Sequence, residues 1–108
     1  MAFQVEELSV ELVQALRPLI PRIRRHERSL ADQLVRAASS IVLNIAEGQY
    51  SDAGNRKARF HSAAGSANET RAALRVAIAW GYFAQPEAER AAALLERIVP
   101  MLWKLTRG

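Results

Sequence analysis

The sequence predicts an all-α fold, an antiparallel up-down-up-down four-helix bundle forming one domain over residues 1–108. Three observations carry this. Apolar residues recur at helical spacing in four separate stretches, proline and glycine cluster between them, and the connections are short.

The first stripe is Val5, Leu8, Leu12, Ala15 and Leu19. It predicts a helix over about residues 4–20, with its last turn disturbed by Pro18 and ended by Pro21. Arg22–Arg28 then reads as a short basic connection. Ser29 offers an N-cap and Asp32 a first-turn acid, so the second helix is expected at about 29–49. It carries two adjoining stripes, Leu30/Leu34/Ala37/Ile41 and Ala31/Val35/Ala38/Val42/Ile45. A helix packed only within its own bundle needs a stripe of about 100°. The wider face predicts contact with a further molecule. Gly48 is expected to stop this helix, and Gln49–Asn55 to form a turn.

The third helix is expected at about 55–80, closed by Gly81 as a C-terminal cap. Its centre is small: Ser62, Ala63, Ala64, Gly65, Ser66, Ala67. Glycine inside a helix costs about 1 kcal/mol relative to alanine, which close approach by another helix would offset. The fourth helix, about 86–106, has Pro86 in its first turn and the seam Ala91, Leu95, Ile98, Leu102, Leu105. Pro100 lies inside it and predicts a kink or break.

Composition narrows the function classes. There is no cysteine, so disulfide and thiolate chemistry are excluded. No apolar run approaches the ~20 residues that span a bilayer, and the acidic start lacks a signal-peptide pattern, so a cytoplasmic protein is expected. Neither His26 nor His61 follows a glutamate at the spacing of a di-iron bundle, and no zinc-protease motif is present. No nucleophile elbow, Walker loop or dinucleotide fingerprint occurs. A non-enzymatic protein without cofactor or metal is the expectation.

The net charge is +4, and Arg far outnumbers Lys. Positive charge concentrates in residues 17–36 and 56–75, while the first sixteen residues are acidic. Arg22, Arg24, Arg25 and Arg28 form one cluster, and Arg56, Lys57 and Arg59 the other. Guanidinium groups match phosphate geometry, so these seven are the candidate nucleic-acid contacts. The alternative is a solvated face with ion pairs between subunits. The two clusters fall near opposite ends of the second helix. Trp80, Tyr82 and Phe83 gather near the third turn, where they are expected to seal the end of the bundle, with stacking on bases as the alternative.

Arg36, Ser40, Asn44, Glu47, Ser66 and Glu69 form a candidate polar layer between the second and third helices. An antiparallel register puts Glu69 opposite Arg36 as an ion pair, Ser40 near Ala63–Gly65, and Glu47 near Arg56 and Lys57. Buried polar groups must be paired or they cost about 1–3 kcal/mol each. A structural, register-setting role is expected, and a ligand site is the alternative.

The stretches Asp32-Gln33-Leu34-Val35-Arg36-Ala37-Ala38, Asn44-Ile45-Ala46-Glu47-Gly48, Ala64-Gly65-Ser66 with Glu69, and Gly81-Tyr82 resemble the bacterial four-helix bundle proteins known as 23S rRNA intervening sequence proteins. The resemblance covers roughly residues 18–83. It implies four antiparallel helices assembled into a homo-oligomeric ring, most often a pentamer, with no established enzymatic activity. A more distant resemblance is to the accessory protein of diversity-generating retroelements, which binds nucleic acid and a reverse transcriptase. The expected function is therefore oligomeric nucleic-acid binding, with RNA favoured. A ring-shaped protein-interaction scaffold is the alternative.

Overall fold

A computed structural model describes residues 2–107, with side chains from Gln4 onward. These residues form five α-helices and one short 3-10 turn, with no strand among them: α1 (Ala2–Leu16), α2 (Ile20–His26), α3 (Arg28–Gln49), α4 (Ala53–Trp80), the 3-10 turn Gln85–Ala88 and α5 (Glu89–Arg107). The molecule measures 42 × 23 × 18 Å. Its length matches α4, whose 28 residues span about 42 Å at ~1.5 Å each.

Most of the residues expected to be a basic connection, Arg22–His26, are helical instead. Pro21 stands in the first turn of α2, where its missing N–H leaves no bond unmade and its fixed φ suits the helix. Leu19 and Ile23 lie one turn apart and are both buried, so the segment is held by apolar contact as well. Two α-helices, α1 and α2, thus replace the single first helix expected from the sequence. Ser29 is not the cap of the next helix. Glu27, in extended backbone, holds that position without a side-chain bond, and Asp32 lies beyond the first turn, paired with Arg24 at 3.0 Å.

Asp52 caps α4, accepting the Asn55 N–H at 3.0 Å, so α4 starts at Ala53, inside the expected turn. Gly81 closes α4 at φ 77°, the left-handed conformation that favours glycine. Gly48 does not stop α3. It lies within the helix, where its lack of a side chain admits the Phe60 ring; a Cβ there would stand 2.8 Å from Phe60 Cε1. Gly65 is the reverse case. It faces open space, and close approach is made instead by its buried neighbours Ala63, Ala64 and Ala67. Helix α5 is continuous through Pro100 and follows the 3-10 turn that holds Pro86.

Helices α3 and α4 run in opposite directions, as do α4 and α5. Gln33, Ser40 and Glu47 of α3 meet Glu69, Ser66 and Arg59 of α4 in reversed order. Arg71 and His61 of α4 likewise meet Glu96 and Trp103 of α5. Helix α1 packs on both α3 and α5, which closes the circuit around one core. That core holds Leu12, Ile23, Leu34, Ile41, Ile45, Phe60, Leu74, Leu95, Ile98 and Leu102, all at 2 % exposure or less. Buried hydroxyls are satisfied locally: Ser9 and Thr70 donate to the carbonyls of Val5 and Ser66 at 2.7 and 2.8 Å, one turn earlier.

Candidate nucleic-acid interface

The two basic clusters lie near opposite ends of α3, whose 22 residues span about 33 Å at ~1.5 Å each. At the first end, Arg22, Arg24 and Arg25 are carried by α2, and Arg28 opens α3. Arg22 donates to Glu87 of the 3-10 turn, and Arg24 to Asp32 at 3.0 Å. Arg25 and Arg28 are exposed and make no ion pair among the described residues. At the second end, Arg56, Lys57 and Arg59 all lie on the first turns of α4 and are exposed. Arg59 pairs with Glu47 at 3.0 Å. The Arg56 guanidinium stands 5.7 Å from the Phe60 ring centroid, and neither Arg56 nor Lys57 has an acidic partner among the described residues. Three of the seven candidate cations are therefore neutralised locally, and four face solvent with their charge available.

The end that carries α2 is tied together by polar contacts distant in sequence. His26 stacks on Tyr82 with ring centroids 4.7 Å apart and planes 2° from parallel. The Tyr82 hydroxyl donates to Glu27 at 2.9 Å, and that bond, with the nearby negative charge, raises the phenol above its ordinary value. The Arg22 guanidinium and the Ala84 N–H both donate to Glu87 and hold its carboxyl below the usual range. Phe83 is buried and Tyr82 partly so, but Trp80 is 69 % exposed, so it does not seal the end as expected.

The polar layer differs in part from its expected pairing. Ser66 Oγ donates to Ser40 Oγ across the α3–α4 seam at 2.9 Å. Asn44 Nδ2 donates to the Ser40 carbonyl and hydroxyl, both at 2.9 Å, so it bonds within its own helix. The Arg36–Glu69 ion pair does not form. Glu69 accepts from Gln33 at 3.2 Å, because that glutamine lies nearly one turn earlier on the face turned to α4. Arg36 is exposed and lines a shallow groove with Ser40, Asn44, Glu47 and Arg59. Glu47 meets Arg59 in place of Arg56 or Lys57, nearly one turn past Arg56 along α4.

Sequence reasoning missed two features. One is Tyr50, 87 % exposed beside Arg59, which sat unremarked in a stretch read as a polar turn. The other is an apolar groove of about 450 Å³ between α1 and α3, lined by Val13, Leu16, Ile20, Pro21, Leu34 and Val35. Its signal was the excess apolar width of the second predicted helix, although that width did not locate the groove. No group of three or more His, Asp or Glu side chains that could hold a metal occurs among the described residues, and no helix there is long and apolar enough to cross a membrane.

The described residues thus form an all-helical chain with basic patches at both ends of one long helix. The family model for the 23S rRNA-intervening sequence protein matches residues 2–104, and the chain belongs to that family. Among solved structures it is similar to a protein of unknown function from the S23 ribosomal protein family of Bacteroides thetaiotaomicron VPI-5482. The two share 21 % identity at a TM-score of 0.84, over 96 % of this chain and 99 % of that one. Comparison with curated proteins finds no match.

Proposed function

We propose that this chain is a non-enzymatic, self-associating nucleic-acid-binding protein of the cytoplasm, with RNA as its favoured partner. The observation that carries the reading is the set of four uncompensated cations, Arg25 and Arg28 at one end of α3 and Arg56 and Lys57 at the other. Arg22, Arg24 and Arg59 stand beside them and reach phosphate by exchanging exposed carboxylates, which costs little because surface pairs contribute about 0–1 kcal/mol. Phosphate contact of this kind is sequence-tolerant and steeply salt-dependent. The test is RNA affinity measured across a salt series. Double substitution of Arg56 and Lys57 by Ala is expected to weaken binding and to lower the log–log salt slope by about 1 per lost contact. Affinity that holds constant from low to high salt rejects the reading.

The architecture proposed for this function is the antiparallel four-helix bundle, with α2 as an elaboration of its first arm, assembled into a ring, most readily a pentamer. The α1–α3 groove and the exposed Val35 and Leu43 favour an apolar subunit contact. The same groove favours the second reading, a ring-shaped scaffold for a protein partner. Light scattering after size exclusion separates a multiple of 12.0 kDa from the monomer. A protein that assembles yet ignores RNA at low salt supports the scaffold.

A further inference from the structure

The turn between α3 and α4 holds one aromatic ring out in solvent on a bonded frame. Tyr50 N–H donates to the Glu47 carbonyl at 3.2 Å, and Ser51 Oγ to the same carbonyl at 2.7 Å. The residue so fixed has the most exposed large apolar side chain among those described, at 87 %. Beside it lies an open recess lined by Glu47, Ser51, Asn55 and Arg59, with Arg56 and Lys57 on the same first turns of α4.

A single exposed ring needs no explanation on a protein surface. Here the pattern repeats. Trp80 is the other exposed Phe, Tyr or Trp side chain among those described, at 69 %. It stands two residues before Tyr82, which touches His26 and Glu27, and those two are flanked by Arg25 and Arg28. Tyr50 thus shares a recess with one basic cluster, and Trp80 lies two residues from the tyrosine that contacts the segment bearing the other. Cations alone bind any phosphate backbone, duplex or not. A ring beside them adds a flat face that only an unpaired base can cover. The recess is polar on its other sides: Glu47 is paired with Arg59 at 3.0 Å, and the Asn55 amide donates to Asp52 at 3.2 Å.

We propose that Tyr50, which lines a recess together with Arg59, is a stacking platform for an unpaired base, so that the preferred ligand is a single-stranded segment. The proposal rests on the nucleic-acid reading above and adds strandedness to it. Stacking of one base is worth about 5- to 150-fold in affinity when the ring is removed.

The test uses the full chain with two labelled probes, an oligouridine strand and an RNA duplex, each of about 20 units to exceed the site sizes usual for such surfaces. The wild type is expected to bind the strand more tightly than the duplex. Tyr50→Ala weakens strand binding within the range just given, with duplex affinity and the salt slope unchanged, whereas Tyr50→Trp retains it. The exposure of Tyr50 predicts an unchanged unfolding midpoint and assembly mass for both variants. Strand binding by Tyr50→Ala as tight as wild type, or equal losses for strand and duplex, overturns the stacking role and leaves the phosphate reading standing. A changed assembly mass assigns Tyr50 to a subunit contact and overturns the proposal. A wild type that binds neither probe at low salt overturns the nucleic-acid reading itself, and the stacking role with it.

Discussion

Gly48 and Gly65 show how little a residue type says without its surroundings. Both are helical, and in an open helix either would gain about 1 kcal/mol on replacement by alanine. At Gly48 the added methyl meets the buried Phe60 ring at 2.8 Å and Arg59 Cβ at 3.3 Å. Overpacking of this kind costs about 1–3 kcal/mol, and the ring has no free end to swing aside. Gly48→Ala is therefore expected to lose about 1 kcal/mol net in urea unfolding. Gly65→Ala, in open space, is expected to gain about 1 kcal/mol in the same assay. Two destabilised variants would show that Gly65 is covered, which places another molecule on that face of α4. The sequence suggests a stop at Gly48 and close approach at Gly65, and neither holds, because what decides each case is whether a neighbour arrives from a different helix.

Helices were the most legible level. The stripes of α1, α3 and α5 are buried much as their spacing predicts: Val5, Leu8 and Leu12; Leu30, Leu34 and Ile41; Ala91, Leu95 and Ile98. Boundaries were less legible, because proline acts differently by position. Pro21 starts a helix, while Pro100 sits inside one that continues around it. The seam residues Ile98, Val99 and Leu102 are buried on either side of Pro100, which is itself exposed, and that packing outweighs the lost hydrogen bond. An interior proline costs about 3 kcal/mol against alanine, less about 1 kcal/mol for the unfolded chain it restricts. Pro100→Ala is thus expected to stabilise by about 2 kcal/mol, read as a higher thermal midpoint with unchanged helix content. A drop in the midpoint would mean that the seam packs better with proline at that position.

At the scale of the whole molecule, the end bearing α2 depends on contacts between residues far apart in sequence. Arg22 and Glu87 pair across it, and the depressed Glu87 carboxyl links that contact to pH. A carboxyl held below its unfolded value stabilises the fold above that value and ceases to do so as pH falls through the depressed range. Wild type is accordingly expected to be more stable than Glu87→Gln at neutral pH, with the difference closing under acid conditions. A gap that persists in acid would assign the effect to shape instead of charge. The pair is exposed, so the gap is small.

Spacing, turn residues and charge distribution by themselves determined that this chain is helical, that its helices carry a shared core, and that its cations fall into two clusters. These are properties of residues near one another along the chain, and period and capping register them directly. The tertiary structure decided the rest: that Arg22–His26 lies on a helix, that Gln33 and not Arg36 meets Glu69, that Phe60 fills the space at Gly48, and that Tyr50 and Trp80 stand exposed. Each of those depends on which side chain arrives from another helix. That follows from packing around the whole core, and no local pattern encodes it.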